Sequence, residues 1–444
     1  MSPAAPTDSL SGHVGHLSLK QTETLKQLWA HLFELFNQTG TAYTAPAKQQ
    51  QPQEEAPSKK SWFSKKDAAP KEVKDVFIGT TTDPAWMDLP LEKALPLIPG
   101  SELRFTFWNM VATDNPDAVL LRFLRARKWD LDASYQMLAN TLRWRLVMRI
   151  DDIVSLGESG MRDELNKLKP ELGDCFIKQL NSGKAYLGGP DKMGRGICFI
   201  NVSLHQKDEQ PLEAIKLLTM YVMETSRVIV HQPIESACIV FNMDGFTLKN
   251  MDFDFVKFLV GCFEAYYPET LGSCLIHKAP WVFSTVWNLI TPLLDPVVAS
   301  KIHFTKDCKE LTNYVDMAAL PGIISGEKDK KTLDESVQVA PVPPGTLSKP
   351  DTAAYHDYQA MVQKYEAETA EWTKAATTEE SSKDYSARHE SARQYRVARF
   401  RAEMDIRGPT SYQAKGLVTI TPEGRVILNF GSDGFAPLDI TENV

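Results

Sequence analysis

The chain has 444 residues, 43% of them hydrophobic and 24% charged. That is enough for two or three domains of about 100–200 residues each, with a sizeable core. Its 49 basic residues against 57 acidic ones leave a net charge of −8, which excludes a globally basic nucleic-acid footprint while leaving local basic patches open.

In chain order, residues 17–36 place Leu25, Leu28, Trp29, Leu32, Leu35 and Phe36 at helical spacing, with Gly40 as a stop. Residues 40–75 then turn rich in Ala, Pro, Gln, Lys and Ser without any period, the composition of a linker or disordered insertion. Asp117–Arg145 reads as two helices, with Asp130 and Asp132 as caps at the break and Leu138, Leu142 and Leu146 on the buried stripe of the second. In the middle third, short β-rich runs at 197–203, 237–243, 273–279 and 300–305 alternate with helical stretches. Ile215, Leu218, Val222 and Ile229 share one helical face there, and Phe255, Leu259, Cys262 and Tyr266 another. Strands separated by helices of that length imply parallel crossovers and an α/β domain. Pro341–Pro344 marks a second linker. Residues 351–407 are highly charged, acidic first and then arginine-rich, and predict a solvated or partner-facing helix pair. Strict alternation around Pro422, Glu423 and Gly424 predicts a hairpin.

The expected divisions are thus an N-terminal helix over 1–40, a disordered insertion over 41–80, a helical region over 81–150 and an α/β domain over 151–330. A linker over 331–350 and a charged helical extension with a terminal hairpin over 351–444 follow.

Enzyme motifs fail one by one. Gly189–Gly196 lacks the Gly-Lys-Ser/Thr and the following helix of a phosphate loop, and reads as a hairpin turn. No dinucleotide fingerprint follows the first strand, and no zinc-protease, esterase or kinase signature appears. His205, His231, His277 and His303 are scattered over different elements and read as core or surface groups. Cys175, Cys198, Cys238, Cys262, Cys274 and Cys308 show no C-x-x-C and no paired spacing with histidine, which suits buried thiols in a reducing compartment. No apolar run reaches the roughly 18 residues that span a bilayer, and the opening MSPAAPTDSL lacks the basic start and apolar run of a signal peptide. The expectation is a soluble, cytoplasmic, non-enzymatic chain without metal or cofactor.

One segment is unusual. Over Pro280–Ser300, Ser284, Asn288, Thr291 and Asp295 form one thin polar stripe, while Trp281, Val282, Phe283, Val286, Trp287, Leu289, Ile290, Leu293 and Leu294 are apolar nearly all round. Such a helix is either central to the core or turns one face to an internal apolar ligand and the other to a membrane.

The order of Leu121–Lys128 (LRFLRARK), Tyr267-Pro268-Glu269, Ala279-Pro280-Trp281, Leu294-Asp295-Pro296 and Ser300-Lys301-Ile302 resembles the CRAL-TRIO family. Within it, the chain is most similar to the non-classical branch of the fungal secretory-pathway phosphatidylinositol transfer proteins. The likeness spans 17–325, interrupted by the 40–75 insertion. It implies a helical N-terminal tripod packed on an α/β domain whose mostly parallel sheet floors an apolar pocket, closed by a mobile gate helix at Pro280–Leu294. Matched position by position, the headgroup-binding Arg, Glu and Lys of classical members fall on Arg127, Glu269 and Lys301. Their threonine falls on Val298, and the polar pair that binds choline falls on Ala237 and Ile239. These apolar replacements leave room for a sterol or isoprenoid as the alternative ligand, and the three charges have an interdomain salt-bridge network as their alternative role. The resemblance implies lipid exchange through pocket or gate residues Trp281, Phe283, Val286, Trp287, Ile290, Leu294, Val298, Ala237 and Ile239. Lys59, Lys60, Trp62, Phe63, Lys65 and Lys66, two aromatics bracketed by four lysines, are either solvated linker or a contact with an anionic membrane. The expected partners are a phospholipid and a transient membrane surface (endosome, Golgi or lipid droplet); the alternative to transfer is a lipid sensor or presenter whose C-terminal extension recruits a lipid-kinase or trafficking protein. No nucleic acid is expected.

Overall fold

The structure is a computed structural model that describes residues 10–41, 85–327, 351–379, 385–408, 410–430 and 435–444. Helix α1 (Leu19–Asn37) starts at Ser18, whose hydroxyl accepts from the Gln21 N–H while the Gln21 side chain accepts from the Ser18 N–H. This reciprocal cap satisfies two of the orphan donors at the helix start. Next come α2 (Gly100–Val111), α3 (Pro116–Ala126) and α4 (Leu131–Val147), the last capped by Asp130, which accepts from the Ala133 N–H. The apolar stripe of α1 meets Phe107, Leu120 and Leu124 in one core. Helix α5 (Ile150–Leu168) kinks at Gly157, where φ is 64°, and α6 (Leu172–Leu180) closes the helical half.

The sheet has the order β1-β2-β3-β4-β5, from Ala185–Gly188, Ile197–Asn201, Ala237–Asn242, Leu271–His277 and Ile302–Thr305. β2 to β5 run parallel, through α7 (Leu212–Ser226), α8 (Phe253–Tyr266) and the pair α9 (Phe283–Ile290) and α10 (Pro296–Ser300). The four expected strands are all present. β1, a four-residue edge strand, was not anticipated; it pairs antiparallel with β2 across the predicted Gly189–Gly196 turn, Gly188 opposite Ile197. One face of the sheet is solid core: Ile197, Phe199, Cys238, Val240 and Leu275 pack on Leu311, Val315, Leu320 and Ile324. The period-2 alternation sends Cys198, Ile200, Ala237, Ile239 and Phe241 to the opposite face.

The C-terminal region corrects the sequence reading. α11 (Ala353–Lys374) and α12 (Ser386–Arg401) are not a solvated or freely partner-facing pair. Tyr358, Val362, Tyr365, Ala392 and Tyr395 share the core of α1–α4, and Phe400, Tyr412, Leu417, Leu428 and Ile440 share the core of α5–α8. Arg388, Arg396, Arg399 and Arg407 are all buried. Buried guanidinium groups need partners, and each of these has at least one, while Arg396 Nε and Nη2 and Arg399 Nε find none among the described residues. Arg388 donates from Nε and Nη2 to the two oxygens of Asp117, each at 2.6 Å. Arg399 and Arg407 both hold Glu403, and Arg396 donates to the Ile440 and Asn443 carbonyls. The predicted hairpin forms as β6 (Val418–Ile420) and β7 (Val426–Leu428), with β8 (Leu438–Asp439) adding a third strand. The chain re-enters the helical half at the α5 kink. There the Gly408 N–H donates to the Val154 carbonyl at 3.0 Å, and a Cβ on Gly408 would stand 2.3 Å from the Gly157 nitrogen.

Candidate functional site

The second face of the sheet floors a cavity of about 1410 Å³, larger than the roughly 300–1,000 Å³ of ordinary small-molecule sites. Strand register lays one row of side chains across the floor: Leu187, Cys198, Ile239, Cys274 and Ile302 are successive partners. Burial pushes the Cys198 and Cys274 thiols up to about 12, so both stay protonated and act as small apolar groups. Ile215, Leu218 and Val222 of α7 form one wall, Phe255, Leu259 and Phe263 of α8 another. Cys262 and Tyr266, on the stripe with Phe255 and Leu259, are buried in the protein core, against which Phe255 also packs.

The third wall is the Pro280–Ser300 segment. Phe283, Trp287, Ile290, Leu294 and Val298 reach the cavity. Val286 packs beside Met243, Phe246 and Phe283 without lining it, and Trp281 stands 87% exposed on the outside. Ser284, Asn288 and Thr291 of the polar stripe face solvent beside exposed Leu289, whereas Asp295 and Val297 are exposed and also line the cavity. Ala237 and Ile239 line the floor as expected. Lys59, Lys60, Trp62, Phe63, Lys65 and Lys66 lie outside the described residues.

At the N-terminal ends of the strands the lining becomes charged. Arg127, Glu269 and Lys301 all line this end, and no ion pair among the described residues joins them to one another. Lys301 Nζ donates to the Leu271 carbonyl at 2.8 Å. The salt bridges belong to residues that the sequence did not single out. Arg125 Nη2 lies 2.6 Å from Glu235 Oε2, and Arg122 Nη1 lies 2.7 Å from Asp114 Oδ2. Arg122, Arg125, Arg127, Lys128, Arg227 and Lys301 meet Asp114, Glu235, Glu264, Glu269 and Asp295 here, six cations to five carboxylates. Arg122 Nε and Nη2 and Arg125 Nε are buried without a hydrogen-bond partner, so donors are left over after the internal pairing. The basic run Leu121–Lys128 marked the neighbourhood; Glu235 lies in no pattern that sequence reasoning can use.

Glu269 sits in the left-handed region, φ 58°, a conformation a non-glycine residue keeps only where its surroundings hold it. Two residues earlier, the Tyr267 hydroxyl donates to Glu224 Oε1 at 2.6 Å. Glu224 also accepts from Arg145 Nη1 at 2.8 Å and Nη2 at 3.0 Å and from Arg227 Nη1 at 3.4 Å, while its main-chain carbonyl accepts from Arg407 Nη2 at 3.2 Å. Burial alone would raise the Glu224 carboxyl. The Arg145 and Arg227 charges and the hydrogen bonds from Arg145 and Tyr267 outweigh it and hold the group well below its usual range. Burial and the Glu224 charge push the Tyr267 phenol far up, so it remains a donor. A fully ionised, fully buried hub thus ties α4, α7, the Tyr267–Glu269 turn and the C-terminal extension to the charged end of the cavity.

Residues 180–326 match the CRAL/TRIO domain and residues 24–140 match the CRAL/TRIO N-terminal domain. The phosphatidylinositol transfer protein CSR1 of Eremothecium gossypii is 34% identical over 401 residues, 84% of this chain and 90% of that protein. The CRAL-TRIO domain-containing protein C3H8.02 of Schizosaccharomyces pombe is 44% identical over 215 residues, 48% of this chain but only 46% of that protein. The SEC14 cytosolic factor of Yarrowia lipolytica is 30% identical over 233 residues, 48% of this chain and 44% of that protein. The chain belongs to the CRAL-TRIO family. Among the described residues no helix is long and apolar enough to cross a membrane.

Proposed function

We propose that this protein binds a phospholipid, phosphatidylinositol first among them, in the sheet-floored cavity and exchanges it between membranes without chemical turnover. The observation that carries this reading is the combination of an apolar cavity of about 1410 Å³ with Arg127, Lys301 and Glu269 among the charged residues that line one end of it. A guanidinium and an ammonium are the forked and point-charge donors that suit a phosphodiester. In this reading Arg127 and Lys301 hold the phosphate and Glu269 accepts from headgroup hydroxyls, with the Glu224 hub fixing the turn that carries Glu269. The name of the Eremothecium relative supports the headgroup assignment.

The energetics explain why a pocket suffices. Exposing about 30 methylenes to water costs on the order of 25 kcal/mol at about 0.8 kcal/mol each, and a cavity as apolar as the bilayer removes most of that barrier. The Pro280–Ser300 segment serves as the gate, since its inner face lines the cavity while Trp281 and Leu289 stand outward. Indole rings favour the depth of the lipid headgroups.

The test is extraction of the purified full chain and mass spectrometry of the lipid that leaves with it, beside Lys301→Ala and Glu269→Ala. Phosphatidylinositol in the parent, lost in both variants while the fold persists, is the expected result. A ligand without phosphate, retained equally by both variants, overturns the headgroup assignment.

A further inference from the structure

The Pro280–Ser300 wall is held to the rest of the protein almost entirely by apolar contact. Phe283 meets Phe246 with ring centroids 5.6 Å apart, Trp287 meets Phe304 at 5.1 Å, and Val286 shares a buried cluster with Met243 and Ile276. The hydroxyls of Ser284, Thr291 and Ser300 donate to the Trp281, Trp287 and Val297 carbonyls, all inside the same segment. Among the described residues, the one hydrogen bond that ties 281–300 to another element runs from the Asp295 main-chain N–H to Glu264 Oε1, at 3.2 Å.

Asp295 stands at the joint of this wall. α9 ends at Ile290, a tight turn over Thr291–Leu293 follows, and Asp295 Oδ1 caps α10 by accepting from the Val297 N–H at 2.7 Å. The Asp295 side chain is thus engaged with α10, and its main-chain N–H is left for Glu264. Glu264 lies in the last turn of α8, beside Phe263, and lines the cavity. That is an unfavourable place for a carboxylate. The C-terminal end of a helix already carries negative partial charge. Burial raises the Glu264 carboxyl above its ordinary value, with the Asp295 N–H pulling it down and the Asp295 charge pushing it up. No ion pair to a cation offsets this among the described residues, and a half-buried charge is costly without compensation.

The two kinds of contact respond differently to a membrane. When the wall moves outward into a bilayer interface, Phe283 and Trp287 exchange protein for acyl chains of equal apolarity, so their contacts resist the movement little. The Asp295 N–H finds no acceptor among acyl chains, and an unmet main-chain donor costs free energy. At a membrane, the closed wall therefore depends on the bond to Glu264.

We propose that Glu264 is the latch of the gate: by accepting from the Asp295 N–H it holds the joint between α9 and α10 against α8, and that bond breaks each time a lipid enters or leaves. The latch rests on the lipid-exchange reading above and adds the residue that sets the rate of exchange. It uses Glu264 as an acceptor oxygen rather than as a charge, because the donor is a neutral N–H and the neighbouring charge, on Asp295, is of like sign.

The test follows transfer of tritiated phosphatidylinositol by the full chain from donor to acceptor phosphatidylcholine vesicles. Glu264→Leu, which keeps the bulk and removes the acceptor, should raise the rate about tenfold, the ratio that 1.4 kcal/mol supplies. Glu264→Gln, which keeps an acceptor oxygen without the charge, should stay within about twofold of the parent. Without vesicles, amide hydrogen exchange over 281–295 should quicken in Glu264→Leu and not in Glu264→Gln, while β3 keeps its protection. A general loosening of the fold would not give that pattern. Equal transfer by all three proteins, an equal rise in both variants, or unchanged protection of 281–295 in Glu264→Leu overturns the latch alone. A parent that neither transfers nor retains phosphatidylinositol overturns the latch and the proposed function together. Should Glu264→Leu fail to fold, the donor side decides. Asp295 has φ −60°, which suits proline, so Asp295→Pro deletes the N–H, while Asp295→Ala loses the same side-chain cap and keeps it. The proline variant should transfer about tenfold faster than the alanine variant, and equal transfer by the two overturns the proposal.

Discussion

Replacing Arg388 by Met tests whether the C-terminal extension is part of the folded unit. Asp117 is fully buried and its carboxylate receives four side-chain hydrogen bonds: two from Arg388 at 2.6 Å, one from Trp29 Nε1 at 2.7 Å and one from the Tyr385 hydroxyl at 3.0 Å. Methionine keeps much of the bulk over Trp372, whose ring centroid lies 4.3 Å from the Arg388 guanidinium carbon, but removes two of the four bonds and the compensating charge. Breaking one side of a buried ion pair costs about 3–5 kcal/mol. A ceiling follows independently, because Asp117 can escape by taking up a proton. From an ordinary carboxyl value near 3.9, neutralisation at pH 7 costs about 4 kcal/mol and at pH 5 about 1.5 kcal/mol. In the parent, Arg388 and the hydrogen bonds overcome burial and hold the Asp117 carboxyl below its usual value. Its stabilisation is therefore present above the unfolded value and is lost as pH falls through the folded one. In the variant the uncompensated carboxyl is shifted upward, so its penalty is relieved as pH falls. Both effects narrow the gap between the two proteins in acid. Urea unfolding followed by circular dichroism at pH 7 and pH 5 should show a loss of about 4 kcal/mol shrinking to about 1.5 kcal/mol. That is a large share of the roughly 5–15 kcal/mol that holds a domain folded. A loss under about 1 kcal/mol at pH 7, or one that does not change with pH, would refute the argument that this pair bolts the extension to α3.

Two further predictions follow from the same geometry. Trp281→Asp alters a side chain that is 87% exposed, so thermal unfolding should stay within about 0.5 kcal/mol of the parent. Co-flotation with phosphatidylinositol-containing vesicles should meanwhile fall several-fold, and equal flotation would remove the outward face of the gate from membrane contact. Gly408→Val drives a Cβ to within 2.3 Å of the Gly157 nitrogen at the α5 kink, and truncation before residue 351 uncovers the faces that Tyr365, Tyr395, Phe400 and Tyr412 cover. Both should lower the yield of soluble protein and its retained lipid together. Normal lipid retention by the truncated chain would show that the extension is a separate appendage.

Local patterns in the sequence were enough for the elements whose neighbours are themselves local in kind. The alternation of Ile197–Asn201 and Ala237–Asn242, the cap at Asp130, the hairpin around Pro422–Gly424 and the apolar faces of α1 and α7 each follow from a period or a turn residue. The composition of Pro280–Ser300 likewise marked an unusually apolar segment, although the single helix expected there is two, α9 and α10, broken between Ile290 and Pro296. β1 escaped because four residues on an edge carry no usable period.

What only the tertiary structure decided is where charge and empty-looking core chemistry end up. The arginines of α12 read as solvated because a guanidinium is buried only when a partner is supplied, and the partner of Arg388 lies 271 residues away. The apolar side chains of the floor are indistinguishable in sequence from those that fill the opposite face of the same strands. Register and helix placement alone make one face a packed core and the other a cavity of about 1410 Å³. Periodicity is a property of a segment, whereas partnership is a property of the assembled chain.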